Sequence, residues 1–243
     1  MSGKYAIGID LGTTNSVLAY SPLGLDVPQV QTLPIPQLTA VGVVESRGGL
    51  PSFLYVPLDN ETGPEFQVAG LPESNAIVGE YARKRSAEAP MRTVAAAKSW
   101  LAHSRVDRRQ PILPWNAPDS EVKKLSPVEA TTRYLRHLVA AWEAAFPDAP
   151  FAQQHVVLTV PASFDASARE LTREAALAAG LPADFTLLEE PQAAVYAWLA
   201  DEGERWRRTL KLGDMLLVCD VGGGTTDFTL IEVAQRDGDL VLE

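Results

Sequence analysis

The sequence holds a single cysteine, Cys219, in 243 residues, so no intrachain disulfide can staple it. Cys219 lies in an apolar run with no evident base beside it and reads as a small buried hydrophobe rather than a nucleophile. Histidine is nearly as scarce. His103, His137 and His155 are scattered without ligand spacing, which argues against a structural zinc site. No apolar run approaches the roughly 20 residues that a bilayer-crossing helix needs. Met1-Ser2-Gly3-Lys4 leads straight into strand-like sequence with no apolar signal core, so the expected compartment is the cytoplasm and no membrane partner is expected. Positive charge is also short. A net charge of −10 argues against nucleic acid as a partner, because its phosphates would be repelled. The basic clusters Arg83-Lys84-Arg85 and Arg205-Trp206-Arg207-Arg208 read as solvated helix ends.

What the sequence does hold is one pattern written twice. Near the start stands Ile7-Gly8-Ile9-Asp10-Leu11-Gly12-Thr13-Thr14-Asn15-Ser16, and near the end Leu217-Val218-Cys219-Asp220-Val221-Gly222-Gly223-Gly224-Thr225-Thr226-Asp227. Each copy is an apolar strand, an aspartate, a tight Gly/Thr turn and a second apolar strand. A glycine turn presents several backbone N–H groups on one side without side-chain bulk, a concave nest suited to phosphate oxygens. Thr13, Thr14, Thr225 and Thr226 add hydroxyl donors. Asp10 and Asp220 close their strands where a carboxylate can hold Mg²⁺ through water. Three consecutive glycines carry an entropic cost that an ordinary hairpin has no reason to bear. Two such turns on one chain point to a duplicated fold gripping one nucleotide.

Between the two copies the punctuation is clear in places. A hairpin is expected over 4–10 and 16–20, β-like pieces near Val41–Glu45, and a strand within 51–57 bounded by prolines. Helices are expected at about 79–88 and 92–102, then an irregular connection over 105–125. Ser126-Pro127-Val128-Glu129 is a capping box with proline at the first helical position. It opens an amphipathic helix (Val128, Leu135, Leu138, Val139, Trp142, Phe146) that Pro147 stops. From His155 the pattern alternates: a buried strand over 156–160, and a helix capped by Asp165 or Ser167 and ended at Gly180. A short strand over 186–188 and a helix opened by Pro191 follow, then a buried strand over 215–219 paired with one over 226–233. Asp237-Gly238 reads as a further hairpin turn. The chain then stops inside an expected strand, as a piece of a longer protein would.

Taken with Val160-Pro161-Ala162-Ser163-Phe164 and Glu190-Pro191 followed by Ala193-Ala194, the two turns closely resemble the heat-shock 70-kDa chaperone family, the DnaK-like ATPases. The resemblance covers nearly the whole chain apart from 21–50. It implies an α/β, actin/hexokinase-like (ribonuclease H-like) ATPase fold, with lobe I plus the start of lobe II. The lobe I core would come from 1–53 and 126–190. A small subdomain over the cleft would come from 54–125, and a crossing helix with the truncated start of lobe II from 191–243. It implies ATP/ADP and Mg²⁺ as cofactors, ATP hydrolysis, and unfolded polypeptide clients reached through a C-terminal domain beyond this chain. By the resemblance, Asp10 and Asp220 would position the hydrated Mg²⁺. Gly12, Thr13, Thr14 and Asn15 would bind the phosphates from one side, and Gly222, Gly223, Gly224, Thr225 and Thr226 from the other. Glu190 would position or deprotonate the attacking water, with Asp227 and Thr225 nearby. Pro161 and Arg169 match a pair that relays nucleotide state in the family.

Two departures stand out. Where the family places a catalytic lysine after a Val-Gly pair, this chain has Arg83, with Lys84 one position later and about 100° away around a helix. Arginine keeps the charge but is forked and bulkier. The family's Asn-Glu-Pro is Glu189-Glu190-Pro191 here, on the surface that receives co-chaperones. The leading expectation is the ATPase part of a chaperone. The alternatives are a divergent nucleotide sensor with little turnover, an actin-fold small-molecule kinase and an actin-like filament protein. Nucleotide binding is expected of the full-length protein, and only weakly or not at all of this piece alone.

Overall fold

A computed structural model describes residues 3–68, 70–71, 76–236 and 239–242. Strand β1 (Tyr5–Leu11) alternates, with Ile7, Ile9 and Leu11 buried and Gly8 and Asp10 on the opposite face, the period-two pattern of a strand covered on one side. It turns back into β2 (Asn15–Pro22), with Asp10 opposite Val17. Next come β3 (Gln31–Thr32), the hairpin of β4 (Ile35–Ala40) and β5 (Val43–Arg47), β6 (Leu50–Pro51) and β7 (Phe53–Tyr55). The single strand expected within 51–57 is therefore split, because β6 pairs with β2 while β7 joins another sheet.

That second sheet holds β8 (Ile77–Val78), β7 and β9 (Thr93–Ala95), with α1 (Glu80–Glu88) beside it. The helix expected over 92–102 is corrected here. Thr93 and Val94 are buried in β9 against β7, and Ala96 turns through a left-handed φ of 54°. Only Ala97–Leu101 is helical, as α2. β-branched residues with a strand to pair with outweigh weak helix propensity. Arg85 is likewise no solvated helix end: it donates to the Tyr55 hydroxyl at 2.9 Å and pairs with Glu61 at 3.3 Å.

Helix α3 (Pro127–Ala145) carries the expected capping box. The Glu129 N–H donates to Ser126 Oγ at 3.0 Å, and the Ser126 N–H donates to Glu129 Oε2 at 2.7 Å. Its Leu135, Leu138 and Trp142 are fully buried against the N-terminal sheet. Strand β10 (His155–Val160) follows, then α4 (Ala166–Ala179), capped by Asp165 and ended by Gly180 at φ 100°, and β11 (Thr186–Glu189). The main sheet runs β11-β10-β1-β2-β3 with β6 on β2; β1, β10 and β11 are parallel, and β2 is antiparallel to β1.

Helix α5 (Glu190–Glu202) and the short α6 (Trp206–Thr209) lead to β12 (Met215–Val221), β13 (Thr226–Arg236) and β14 (Asp239–Leu242), a separate antiparallel sheet. The expected turn at Asp237-Gly238 lies outside the described residues. The strand expected to be buried over 215–219 is not. Met215, Leu217 and Cys219 are exposed, because β12 is an edge strand with that face uncovered. The reading of Cys219 as a buried hydrophobe is corrected with it. Among the described residues no helix is long and apolar enough to cross a membrane.

Candidate functional site

The two Gly/Thr turns meet. Parallel pairing of β1 with β10 aligns Ile9 with Leu158, which brings Thr159 beside Asp10, and its hydroxyl donates to Asp10 Oδ1 at 2.9 Å. The first turn is pinned from β6–β7. Ser52 Oγ donates to the Gly12 carbonyl at 2.8 Å, and the Ser52 N–H donates to the Thr14 carbonyl at 2.9 Å. The second turn is closed by the Gly222 N–H donating to the Thr225 carbonyl at 2.9 Å, and the strand register sets Asp220 opposite Asp227 and Val221 opposite Thr226.

The glycines of the second turn face the threonines of the first. A Cβ added to Gly223 would lie 2.5 Å from Thr14 Oγ1, and one added to Gly224 would lie 2.8 Å from Thr13 Cγ2. Here glycine is required by close approach. Between and beside the turns lies a crevice of about 490 Å³, bordered by Asp10, Gly12, Thr13, Thr14, Asn15, Glu190, Asp220, Gly222, Gly223, Gly224 and Thr225. Three expected residues stand elsewhere. Asp227 lines an adjoining cavity of about 140 Å³ together with Pro161, Glu190 and Asp220. Thr226 is on β13, outside the lining. Arg83 is turned away onto Glu80 at 2.8 Å and is half-exposed. Its neighbour Lys84 donates to the Thr39 carbonyl at 2.8 Å.

Glu190 is the first residue of α5. The residue before it, Glu189, occupies the cap position and makes no side-chain capping bond. The Glu190 carboxylate instead meets Lys98 Nζ of α2 at 2.5 Å. Burial raises the Glu190 pKa above the usual carboxylate range; Lys98 opposes that rise, while Asp10 and Asp220 add to it. Arg169 of α4 donates to the Phe164 carbonyl at 3.1 Å and to Glu189 Oε1 at 2.6 Å, tying the β10–α4 connection to the start of α5.

Sequence reasoning missed Lys98, Ser52 and Thr159. Thr159 carries a faint signal, as a polar residue alternating with apolar ones in β10. Lys98 and Ser52 carry none, since each reaches the site through tertiary pairing alone.

The donor set fits a magnesium nucleotide. Among the described residues no group of three or more His, Cys, Asp or Glu side chains gathers as a metal cage. Two carboxylates flanking an anion nest are what Mg²⁺ uses, since it retains waters and takes its remaining ligands from phosphate oxygens.

Comparison with known proteins gives a consistent result. Residues 59–241 match the family model described as Hsp70 protein. The chain is 33% identical over 244 residues to "Chaperone protein HscA" of Klebsiella pneumoniae (strain 342), covering 96% of this chain and 33% of that protein. It is 30% identical over 243 residues to "Chaperone protein HscA homolog" of Pasteurella multocida (strain Pm70), with the same coverage of 96% and 33%. The chain thus spans about a third of the length of the relatives it matches.

Proposed function

The chain belongs to the Hsp70 family, and we propose that it is the ATP-binding and ATP-hydrolysing part of an Hsp70-like chaperone. The observation that carries this reading is the meeting of two Gly/Thr turns across one crevice whose walls bear Asp10, Asp220 and Glu190. In this reading the fold is actin/hexokinase-like. Residues 1–53 and 126–190 form the lobe I core, 54–125 a subdomain over the cleft, and 191–243 the crossing helix and the start of lobe II.

The residues divide the work by chemistry. Backbone N–H groups and hydroxyls of Gly12–Asn15 bind phosphate oxygens from one side, and those of Gly222–Thr226 from the other. Asp10, steadied by Thr159, and Asp220 would hold Mg²⁺ through water. When bound, the ion neutralises phosphate charge that the carboxylates would otherwise repel. Glu190 orients the attacking water and accepts its proton, and its burial gives it a basicity suited to that role. Asp227, across the ladder from Asp220, supports the same wall. Catalysis of this kind is positioning and charge stabilisation. Arg169, joined to the start of α5 through Glu189, and Pro161 would pass nucleotide state outward to a client-binding region, with unfolded polypeptide as client. Because Glu189 replaces the family's asparagine and is held by Arg169, co-chaperone docking is expected to differ at that surface.

One observation favours a second reading, a nucleotide sensor with little turnover: Arg83, expected as a catalytic cation, pairs with Glu80 and does not line the crevice. Calorimetry and single-turnover hydrolysis on the full-length protein separate the two. The ATPase reading expects Mg-dependent binding with turnover, and a loss of about 100-fold in Glu190→Gln. Binding without turnover favours the sensor. Transfer of phosphate to sugars or polyols would replace both with a kinase.

A further inference from the structure

Two buried serine hydroxyls stand behind the first turn. Ser16 of β2 is 0% exposed and Ser52 is 2% exposed, and their Oγ atoms lie 3.0 Å apart. A buried hydroxyl costs free energy unless it is hydrogen-bonded. Ser52 has one hydroxyl proton, and the Gly12 carbonyl accepts it at 2.8 Å. The proton between the two serines therefore comes from Ser16. The donors run in one direction, from Ser16 to Ser52 to the Gly12 carbonyl, and both hydroxyl protons are used.

Ser52 is the single residue between β6, which pairs with the main sheet, and β7, which belongs to the second sheet. From that place it grips the first turn twice. Its hydroxyl holds the Gly12 carbonyl, and its N–H holds the Thr14 carbonyl at 2.9 Å. Thr13 and Thr14 lie between the two grips, and theirs are the side chains that Gly224 and Gly223 of the second turn approach. A trans peptide is planar and carries its N–H opposite its carbonyl. Holding the Gly12 and Thr14 carbonyls toward Ser52 thus turns the N–H groups of Thr13 and Asn15 the other way. Thr13 and Asn15 border the crevice, whereas Ser52 does not.

We infer that Ser52 is the positioning residue of the first turn: its two hydrogen bonds aim the Thr13 and Asn15 N–H groups at the phosphate oxygens of a nucleotide, and Ser16 keeps the Ser52 hydroxyl in line. The inference rests on the nucleotide-binding reading above. Donors held in place before the anion arrives need no rearrangement when it binds. Released from Ser52, the same peptide planes can rotate, and a ligand must then pay to order them. Ser52 acts at the phosphate end of the ligand alone, so its removal separates the two ends of a nucleotide.

The test is calorimetry on the full-length protein with two probes, Mg-ADP and adenosine. Ser52→Ala is expected to weaken Mg-ADP binding about tenfold. Adenosine, which has no phosphate, is expected to bind within about twofold of its wild-type affinity, a split that a general loss of structure would not produce. Ser16→Ala is expected to cost about threefold in Mg-ADP affinity on its own and nothing in the Ser52→Ala background, since a residue acting through another has no partner left. That double variant also removes the hydroxyl that Ser52→Ala orphans, so it remains informative should the single variant fold poorly. Equal losses for Mg-ADP and adenosine overturn the inference, as does a further loss of about threefold from Ser16→Ala in the double variant. A wild type that binds no Mg-ADP overturns the parent reading and this inference with it. A wild type that binds Mg-ADP while Ser52→Ala matches it overturns the inference alone.

Discussion

The two Gly/Thr turns share a pattern and live in opposite surroundings. The first grows from the middle of a sheet: β1 is flanked by β2 and β10, and Ile7, Ile9 and Leu11 pack into the main core with α3. The second grows from an edge. Leu217 is 57% exposed, Phe228 68% and Leu230 64%, although each belongs to a ladder as regular as the first. The local pattern of strand, aspartate and glycine turn is thus enough to form the hairpin, and what differs is what covers it. Chemistry at the tip is written locally, whereas stability at the base comes from burial.

The largest expected contrast lies at matched positions, three residues before each aspartate. Ile7→Ala should cost about 2–5 kcal/mol as a buried large-to-small change, whereas Leu217→Ala should cost no more than about 0.5 kcal/mol as an exposed one. Chemical denaturation of both variants measures the contrast, and equal losses would break the comparison. The next effect sharpens the meeting of the turns. Gly223→Ala drives a methyl into Thr14 and should weaken Mg-ADP binding at least about tenfold while lowering stability by less than about 1 kcal/mol, since the hairpin base is exposed. Calorimetry beside thermal melting reads both.

The smallest effect concerns pH and belongs to the buried region. His137 of α3 donates its Nε2 proton to the Pro36 carbonyl at 2.8 Å, and burial pushes its pKa down to about 4. An unfolded histidine titrates near 6.5. As pH falls from about 6.5 toward 4 the unfolded chain takes up this proton first, so stability falls across that window and is indifferent to His137 above it. His137→Gln should flatten that part of the stability–pH curve, and denaturation at stepped pH checks it. No such slope is expected in hydrogen exchange from the β12–β13 amides.

Signals confined to a few neighbouring residues were legible in the sequence. They include both Gly/Thr turns, the Ser126–Glu129 capping box, the Asp165 cap, the Gly180 stop and the strand at 156–160. Each is set by backbone geometry or by side chains within one turn of the chain. What stayed hidden depends on partners distant in sequence. Thr93–Ala95 is a strand because β7 lies beside it. Ser52 pins the first turn because β6 pairs with β2. Lys98 reaches Glu190 across 92 positions of sequence. Cys219 and Leu217 alternate like core residues yet lie on an uncovered face. Arg83 was placed by analogy with a lysine, and Glu80, one helical turn earlier, captures it.

The central claim, that both turns close on one magnesium nucleotide, is met most directly by calorimetric titration of Mg-ADP into the full-length protein and its Asp10→Asn, Asp220→Asn and doubly substituted forms. The account predicts one nucleotide per chain, with the magnesium-dependent part of the affinity lost in either single variant and the double no worse than either. Retention of that magnesium dependence in either single variant would contradict it, because the two carboxylates would then not share an ion.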